Sequence, residues 1–286
     1  MTDLPRLRAD AVPVRPAATV MLVRDGEVGL EVFMVQRTHR AAFARSTYVF
    51  PGGQLDDADH GTVFESISDH CDDASASARL GLDHGGLAWL VAAIRECFEE
   101  AGILLARRVR DDEPIRFDTA EVIDQFTRAR RGIHNGEVSL AQLCRDHELR
   151  LLVDRIHLVD HWVTPLGERH RFDTRFFLAL APAHQRPLHD HTETIASCWI
   201  RPADAIARSR SGKMAMFPPT IRSLEFIASY ATVADLVEDA SHLPIPTPIV
   251  PRLITDDEGR IVEIKNPGDE GYDEVIDPEW VIGHHR

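Results

Sequence analysis

Apolar-rich runs at Ala17 to Arg24 and Val28 to Gln36 flank the polar stretch Arg24-Asp25-Gly26-Glu27. An Asp-Gly pair between two such runs predicts a β-hairpin that turns there. A short strand is expected from Thr47 to Phe50, leading into Pro51-Gly52-Gly53. Further on the period changes. Leu87, Leu90, Val91, Ile94 and Phe98 recur at three- and four-residue intervals, which predicts a helix with one packed face. It should run from about Leu87 to Ala101 and stop at Gly102, where a left-handed cap suits glycine.

Ala120 to Arg131 and Ser139 to His147 also read as helices, with Ser139 as an N-cap residue. Strands return at Ile156 to Thr164, Phe172 to Ala181 and Ala196 to Ile200. Phe217-Pro218-Pro219-Thr220 opens a helix to about Tyr230, continued after Thr232. Pro246, Pro248 and Pro251 mark a linker before a last hairpin over Arg252 to Lys265, turning at Asp256-Asp257-Glu258-Gly259. Residues 56–86 carry Asp56, Asp57, Asp59, Asp69, Asp72, Asp73 and Asp83, and read as a surface-exposed insert with a short helix near Ala74 to Leu80. Strands with helices before, between and after them predict the α/β class, as an α/β/α sandwich around a mixed sheet. The expected organisation is an arm over 1–16, a main domain over 17–240 and a C-terminal extension over 241–286. The domain would hold one insertion at 60–86 and a helical one at about 118–150.

A net charge of −14 argues against a broad surface that tracks nucleic-acid phosphates. A small phosphorylated ligand stays compatible with it, since a metal ion and a few local Arg residues can bind one. Cys71, Cys97, Cys144 and Cys198 include no C-x-x-C pair and read as reduced thiols. The stretch Met1 to Pro16, broken by three prolines, does not read as a signal peptide. No apolar run reaches membrane-spanning length, and the last residues do not form a peroxisomal tripeptide. A cytoplasmic location without membrane contact is the expectation.

The strongest chemical signal is Arg95-Glu96-Cys97-Phe98-Glu99-Glu100-Ala101-Gly102-Ile103. Glu96, Glu99 and Glu100 lie at i, i+3 and i+4, so on a helix they share one face, expected as an acidic outer edge. Their mutual repulsion is relieved by a hard divalent cation that prefers carboxylate oxygens, such as Mg²⁺ or Mn²⁺. Gly52 and Gly53 supply a tight turn whose backbone can approach closely and offer a carbonyl ligand.

Together these residues resemble the Nudix hydrolase family, whose motif runs G-x5-E-x7-R-E-x2-E-E-x-G followed by an aliphatic residue. Gly53 fills the first position, and Arg95, Glu96, Glu99, Glu100, Gly102 and Ile103 fill the later ones. Two departures stand out. Asp59 occupies the early Glu position, and 35 residues separate it from Arg95 where the motif has seven. Long surface insertions cost little closure entropy, so the motif is expected to be interrupted but intact.

The resemblance implies metal-dependent pyrophosphate hydrolysis, with Glu96, Glu99, Glu100, Gly52 and Gly53 as metal ligands. Arg95 is expected to orient the loop or the carboxylates. Glu193, separated from Trp199 by five residues, resembles an additional acidic position of the family, and Glu99, Glu100 and Glu193 are all candidates for the general base. The interrupted motif, Phe50-Pro51-Gly52-Gly53-Gln54-Leu55, Trp162-Val163-Thr164-Pro165 and Phe217-Pro218-Pro219-Thr220 further resemble the coenzyme A diphosphatase branch. That likeness implies cleavage of coenzyme A or acyl-coenzyme A, with Arg37, Arg40 and Arg45 holding a substrate phosphate. ADP-ribose, NADH or a dinucleotide is the alternative substrate, and a Nudix-fold ligand-binding module without catalysis is the second alternative. Dimers are common in the family, which makes a homodimer a partner to test.

Overall fold

The computed structural model describes residues 12–37, 47–168, 170–187, 194–256 and 261–273. Strands β1 (Val14–Gly26) and β2 (Gly29–Arg37) form the first hairpin, followed by β3 (Tyr48–Val49) and β4 (Gly52–Gln54). A 3-10 turn over Asp57–His60 leads into helices α1 (Val63–Ile67), α2 (Asp73–Leu80) and α3 (Gly86–Ala101). Strand β5 (Ala106–Arg108), helices α4 (Ala120–His134) and α5 (Leu140–Asp146) and strand β6 (Leu149–Leu151) follow. Then come β7 (Ile156–Val163), β8 (Arg171–Leu180) and β9 (Thr194–Ile200). Helices α6 (Pro202–Arg210), α7 (Pro218–Ala228) and α8 (Val233–His242) precede a final hairpin of β10 (Arg252–Thr255) and β11 (Ile261–Lys265).

The chain divides into two compact units, one comprising 17–160 and 175–246, the other built around 161–174 and the region after 247. The larger unit is centred on a mixed seven-stranded sheet in the order β3-β2-β1-β8-β7, with β4 paired to β1 and β9 to β2. In the smaller unit β10 pairs with β11, and the Val163 N–H donates to the Ile249 carbonyl.

The first turn lies two residues later than its sequence signal. Gly26 pairs with Gly29 across the hairpin, so Glu27-Val28 form the loop and the Asp25-Gly26 pair sits at its entrance. A Cβ on Gly26 would come within 2.5 Å of the Glu31 side chain, which would have to shift to admit it.

Helix α3 is the central element. Its apolar face Leu87, Leu90, Val91, Ile94 and Phe98 is buried as its period requires, and so are Ala92, Ala93 and Cys97 on other faces. Each large side chain removed from water there contributes about 1.5–3 kcal/mol. Gly102, at φ 70°, ends the helix and its N–H returns to the Phe98 carbonyl. At the other end, Gly86 meets α2 so closely that a Cβ would lie 2.3 Å from the Ser77 nitrogen. Asp73 accepts the N–H groups of Gly85 and Leu87 at 2.9 and 3.0 Å, which ties the start of α2 to the start of α3.

The insert over 60–86 is not the exposed segment its Asp and Ser content predicts. Phe64, Ala76 and Leu80 enter the main core, while Ser68, Asp69 and Ser77 are buried polar groups. Arg107 on β5 pairs with Asp69, and Arg150 on β6 donates to the Ser68 carbonyl at 3.0 Å. Composition predicts average polarity, but the Asp69 carboxylate and the Ser68 carbonyl find partners outside the insert, while the Ser77 hydroxyl accepts the Gly86 N–H at 2.9 Å within it. All four cysteines are free; Cys71, Cys97 and Cys144 are buried. Burial pushes the Cys144 thiol up to about 12.

Candidate active site

The acidic face of α3 is turned into the protein, contrary to the expected outer edge. The side chains of Glu96 and Glu99 are only 14% and 13% exposed, and Glu100 is buried. Three carboxylates in such a position need compensation, and Arg95 provides most of it. Its Nε and Nη2 donate to the two oxygens of Asp59, both at 2.9 Å. Nη1 reaches Glu96 Oε1 at 2.7 Å and Glu99 Oε1 at 3.1 Å, and Nη2 also donates to the Gln54 carbonyl at 2.8 Å. A guanidinium has five N–H donors, and here five acceptors meet it.

Burial works against the charge of Arg95, but Asp59 and Glu96 outweigh it and hold its pKa above the ordinary arginine value. Burial is the main cause that pushes Glu96 up to about 7; Arg95 opposes the shift and the charge of Glu99 adds to it. Asp59 is held from a second side, because its Oδ2 accepts the Asp56 N–H at 2.8 Å. The long excursion therefore leaves and returns at the same place. Asp59 stands at its start, Arg95 just beyond its end, and the pair closes it.

The glycine loop meets the helix directly. Gly52 pairs with Thr19 and Gly53 with Ala18 along β1, and the Gly52 N–H donates to Glu100 Oε2 at 3.0 Å. A Cβ on Gly53 would come within 2.6 Å of both Glu96 carboxylate oxygens. Arg37, at the end of β2, brings Nη1 to 3.9 Å from Glu100 Oε1. Thus Arg95, Glu96, Glu99, Glu100, Gly52, Gly53 and Arg37 are gathered at one site. Arg40, Arg45 and Glu193 lie outside the described residues.

Two contacts had no counterpart in the sequence reading. Arg130 and His134, one turn apart on α4, reach Glu99 from the side opposite in sequence to Asp59. Arg130 Nε donates to the Glu99 carbonyl at 2.8 Å, and His134 Nδ1 lies 3.5 Å from Glu99 Oε2. Their i, i+4 spacing places them on one helix face, but no local signal says which element that face meets.

The carboxylates of Glu96, Glu99 and Glu100 are donors that suit a hard divalent cation. The close approach of the Gly53 backbone to the poorly solvated Glu96 carboxyl fits one as well. Among the described residues no group of three or more His, Cys, Asp or Glu side chains is already converged as for a bound metal. Arg95 holds the facing oxygens of Glu96 and Glu99, so binding requires these side chains to regroup.

A family model of the NUDT19 Nudix domain matches residues 62–227, more than half of the chain. The chain belongs to this family of Nudix domains. Gly52, Gly53 and Asp59 precede the matched span. The chain is 25% identical to acyl-coenzyme A diphosphatase NUDT19 of Xenopus laevis, over 72% of this chain and 62% of that protein. It is 28% identical to the protein of the same description from Gallus gallus, over 89% of this chain and 75% of the other. It thus spans less than two thirds of the length of the Xenopus protein. A crystallised NUDIX hydrolase from Alicyclobacillus acidocaldarius shares the fold, with a TM-score of 0.65 at 24% identity, covering 82% of this chain and all of that one. Among the described residues no helix is long and apolar enough to cross a membrane.

Proposed function

We propose that this chain is a metal-dependent hydrolase that splits the pyrophosphate of coenzyme A or acyl-coenzyme A. Water adds to one phosphorus, the bridging P–O bond breaks, and 3′,5′-ADP and 4′-phosphopantetheine (acylated where the substrate was) leave. The observation that supports the hydrolase reading is the union of the acidic face of α3 with Gly52 through Glu100 and with Asp59 through Arg95. The substrate reading rests on the names of the relatives, acyl-coenzyme A diphosphatases.

Glu96, Glu99 and Glu100 would hold Mg²⁺ or Mn²⁺, joined by a backbone oxygen of Gly52 or Gly53. When bound, the ion neutralises phosphate charge and acidifies a water molecule. Arg95 keeps the loop and the carboxylates in register. Arg37, Arg40 and Arg45 are the proposed phosphate anchors; the position of Arg37 beside Glu100 supports its part. Glu99, Glu100 and Glu193 are the candidates for the base that takes a proton from water. A cytoplasmic setting is part of the proposal.

The test is a panel of coenzyme A, ADP-ribose, NADH and a dinucleotide polyphosphate, each incubated with Mg²⁺ and with Mn²⁺, the products separated by chromatography. Release of 3′,5′-ADP supports coenzyme A. AMP with ribose 5-phosphate selects ADP-ribose instead, and no turnover of any compound favours the binding-module alternative.

A further inference from the structure

Glu99 is gripped from two directions, and only one of them belongs to the interrupted motif. Arg95 takes Oε1, while α4, which lies after α3 in the helical insertion, supplies two more contacts. The Glu99 carbonyl is in the last turn of α3, where backbone acceptors lack a partner within the helix, and Arg130 satisfies it across 31 positions. A cation at a helix C-terminus is also favoured by the helix dipole. One turn further along α4, His134 reaches the carboxylate itself at Oε2.

We propose that α4 is a positioning element of the active site: Arg130 docks it on the end of α3, and His134 sets the direction of the Glu99 carboxylate. His134 is a positioning residue, since it acts through Glu99. The inference rests on the reading of Glu99 as a metal ligand given above. An ordinary capping role would confine the effect of His134 to the stability of α4, where it is the last helical residue.

The experiment compares the parent protein with His134→Ala, His134→Asn and, as a control on the same helix, Arg131→Ala. The side chain of His134 is 35% exposed, so folding should survive, and melting without metal verifies it. Mn²⁺ binding is measured directly by electron paramagnetic resonance, and kcat and KM are measured with coenzyme A. Loss of an outer contact to a metal ligand typically weakens metal binding or activity about 10- to 100-fold. Near the lower end of that range, His134→Ala should lose Mn²⁺ affinity and kcat with KM little changed. His134→Asn, which returns a nitrogen near the Nδ1 position, should recover much of both, and Arg131→Ala should match the parent. Parent-like Mn²⁺ affinity and kcat in His134→Ala, or an effect limited to melting, overturns the inference while leaving the hydrolase reading standing. A parent protein that binds no Mn²⁺ and cleaves nothing overturns both.

Discussion

Asp59 and Arg95 stand 36 positions apart and join through two parallel 2.9 Å hydrogen bonds, with both side chains withdrawn from solvent. Removing Asp59 takes two of the five acceptors from buried Arg95 and leaves Glu96, Glu99 and the Gln54 carbonyl. The cost should therefore lie toward the lower end of the range of about 3–5 kcal/mol for a fully broken buried pair. Asp59→Ala is therefore expected to lower unfolding free energy in urea by that order and to reduce activity with it. A loss under about 1 kcal/mol, the range of surface pairs, would mean that the excursion is closed by something else.

Gly52 and Gly53 are adjacent but should fail differently. A Cβ on Gly52 would meet the Ala18 carbonyl oxygen at 2.5 Å, which is backbone of the neighbouring strand. Gly52→Ala should cost about 1–3 kcal/mol of stability through overpacking. The atoms nearest a Cβ on Gly53 belong to the side-chain end of Glu96. Gly53→Ala should keep near-parent melting and lose Mn²⁺ affinity, as read by calorimetric titration.

Glu99→Gln and Glu100→Gln keep side-chain size and remove a charge. Each is expected to lower turnover by orders of magnitude while leaving melting in chelator nearly unchanged. Parent-like turnover in both variants rules out their role as ligands.

Asp73 gives the fold an acid limit. Burial raises its pKa, but the N–H bonds from Gly85 and Leu87 outweigh that and leave it below the ordinary 3.8. A carboxylate depressed in the folded state adds stability above its unfolded pKa, and that part is lost as pH falls through the lower folded value. Asp73→Asn should cost about 1 kcal/mol near neutrality, as lost helix caps do. The gap from the parent should close as the medium is taken well below pH 3.8, followed by melting across the acid range.

Helix α3 was legible because its period, its Arg-Glu-x-x-Glu-Glu run and Gly102 all point to one element. The spacing from Gly53 to Asp59 likewise placed an acid at the start of the excursion. The burial of that acidic face was not legible, because the groups that compensate it come from distant segments. Arg130 and His134 are ordinary helix residues until α4 packs on α3. Polar composition misrepresented the insert for the same reason, since the buried Asp69 carboxylate finds its partner, Arg107, on β5. Helix α6 carried a usable sign, Pro202 in its first turn. The paired strands β5 and β6 are three residues each, too short for periodicity to reveal.

A crystal soaked in Mn²⁺ and measured for anomalous scattering interrogates the site itself. The expected map has one strong peak coordinated by oxygens of Glu96, Glu99 or Glu100 and by the Gly52-Gly53 backbone, with Arg95 still joined to Asp59. A map with those carboxylates bare, and the manganese bound elsewhere or nowhere, would contradict the cation site on which the proposed hydrolysis depends.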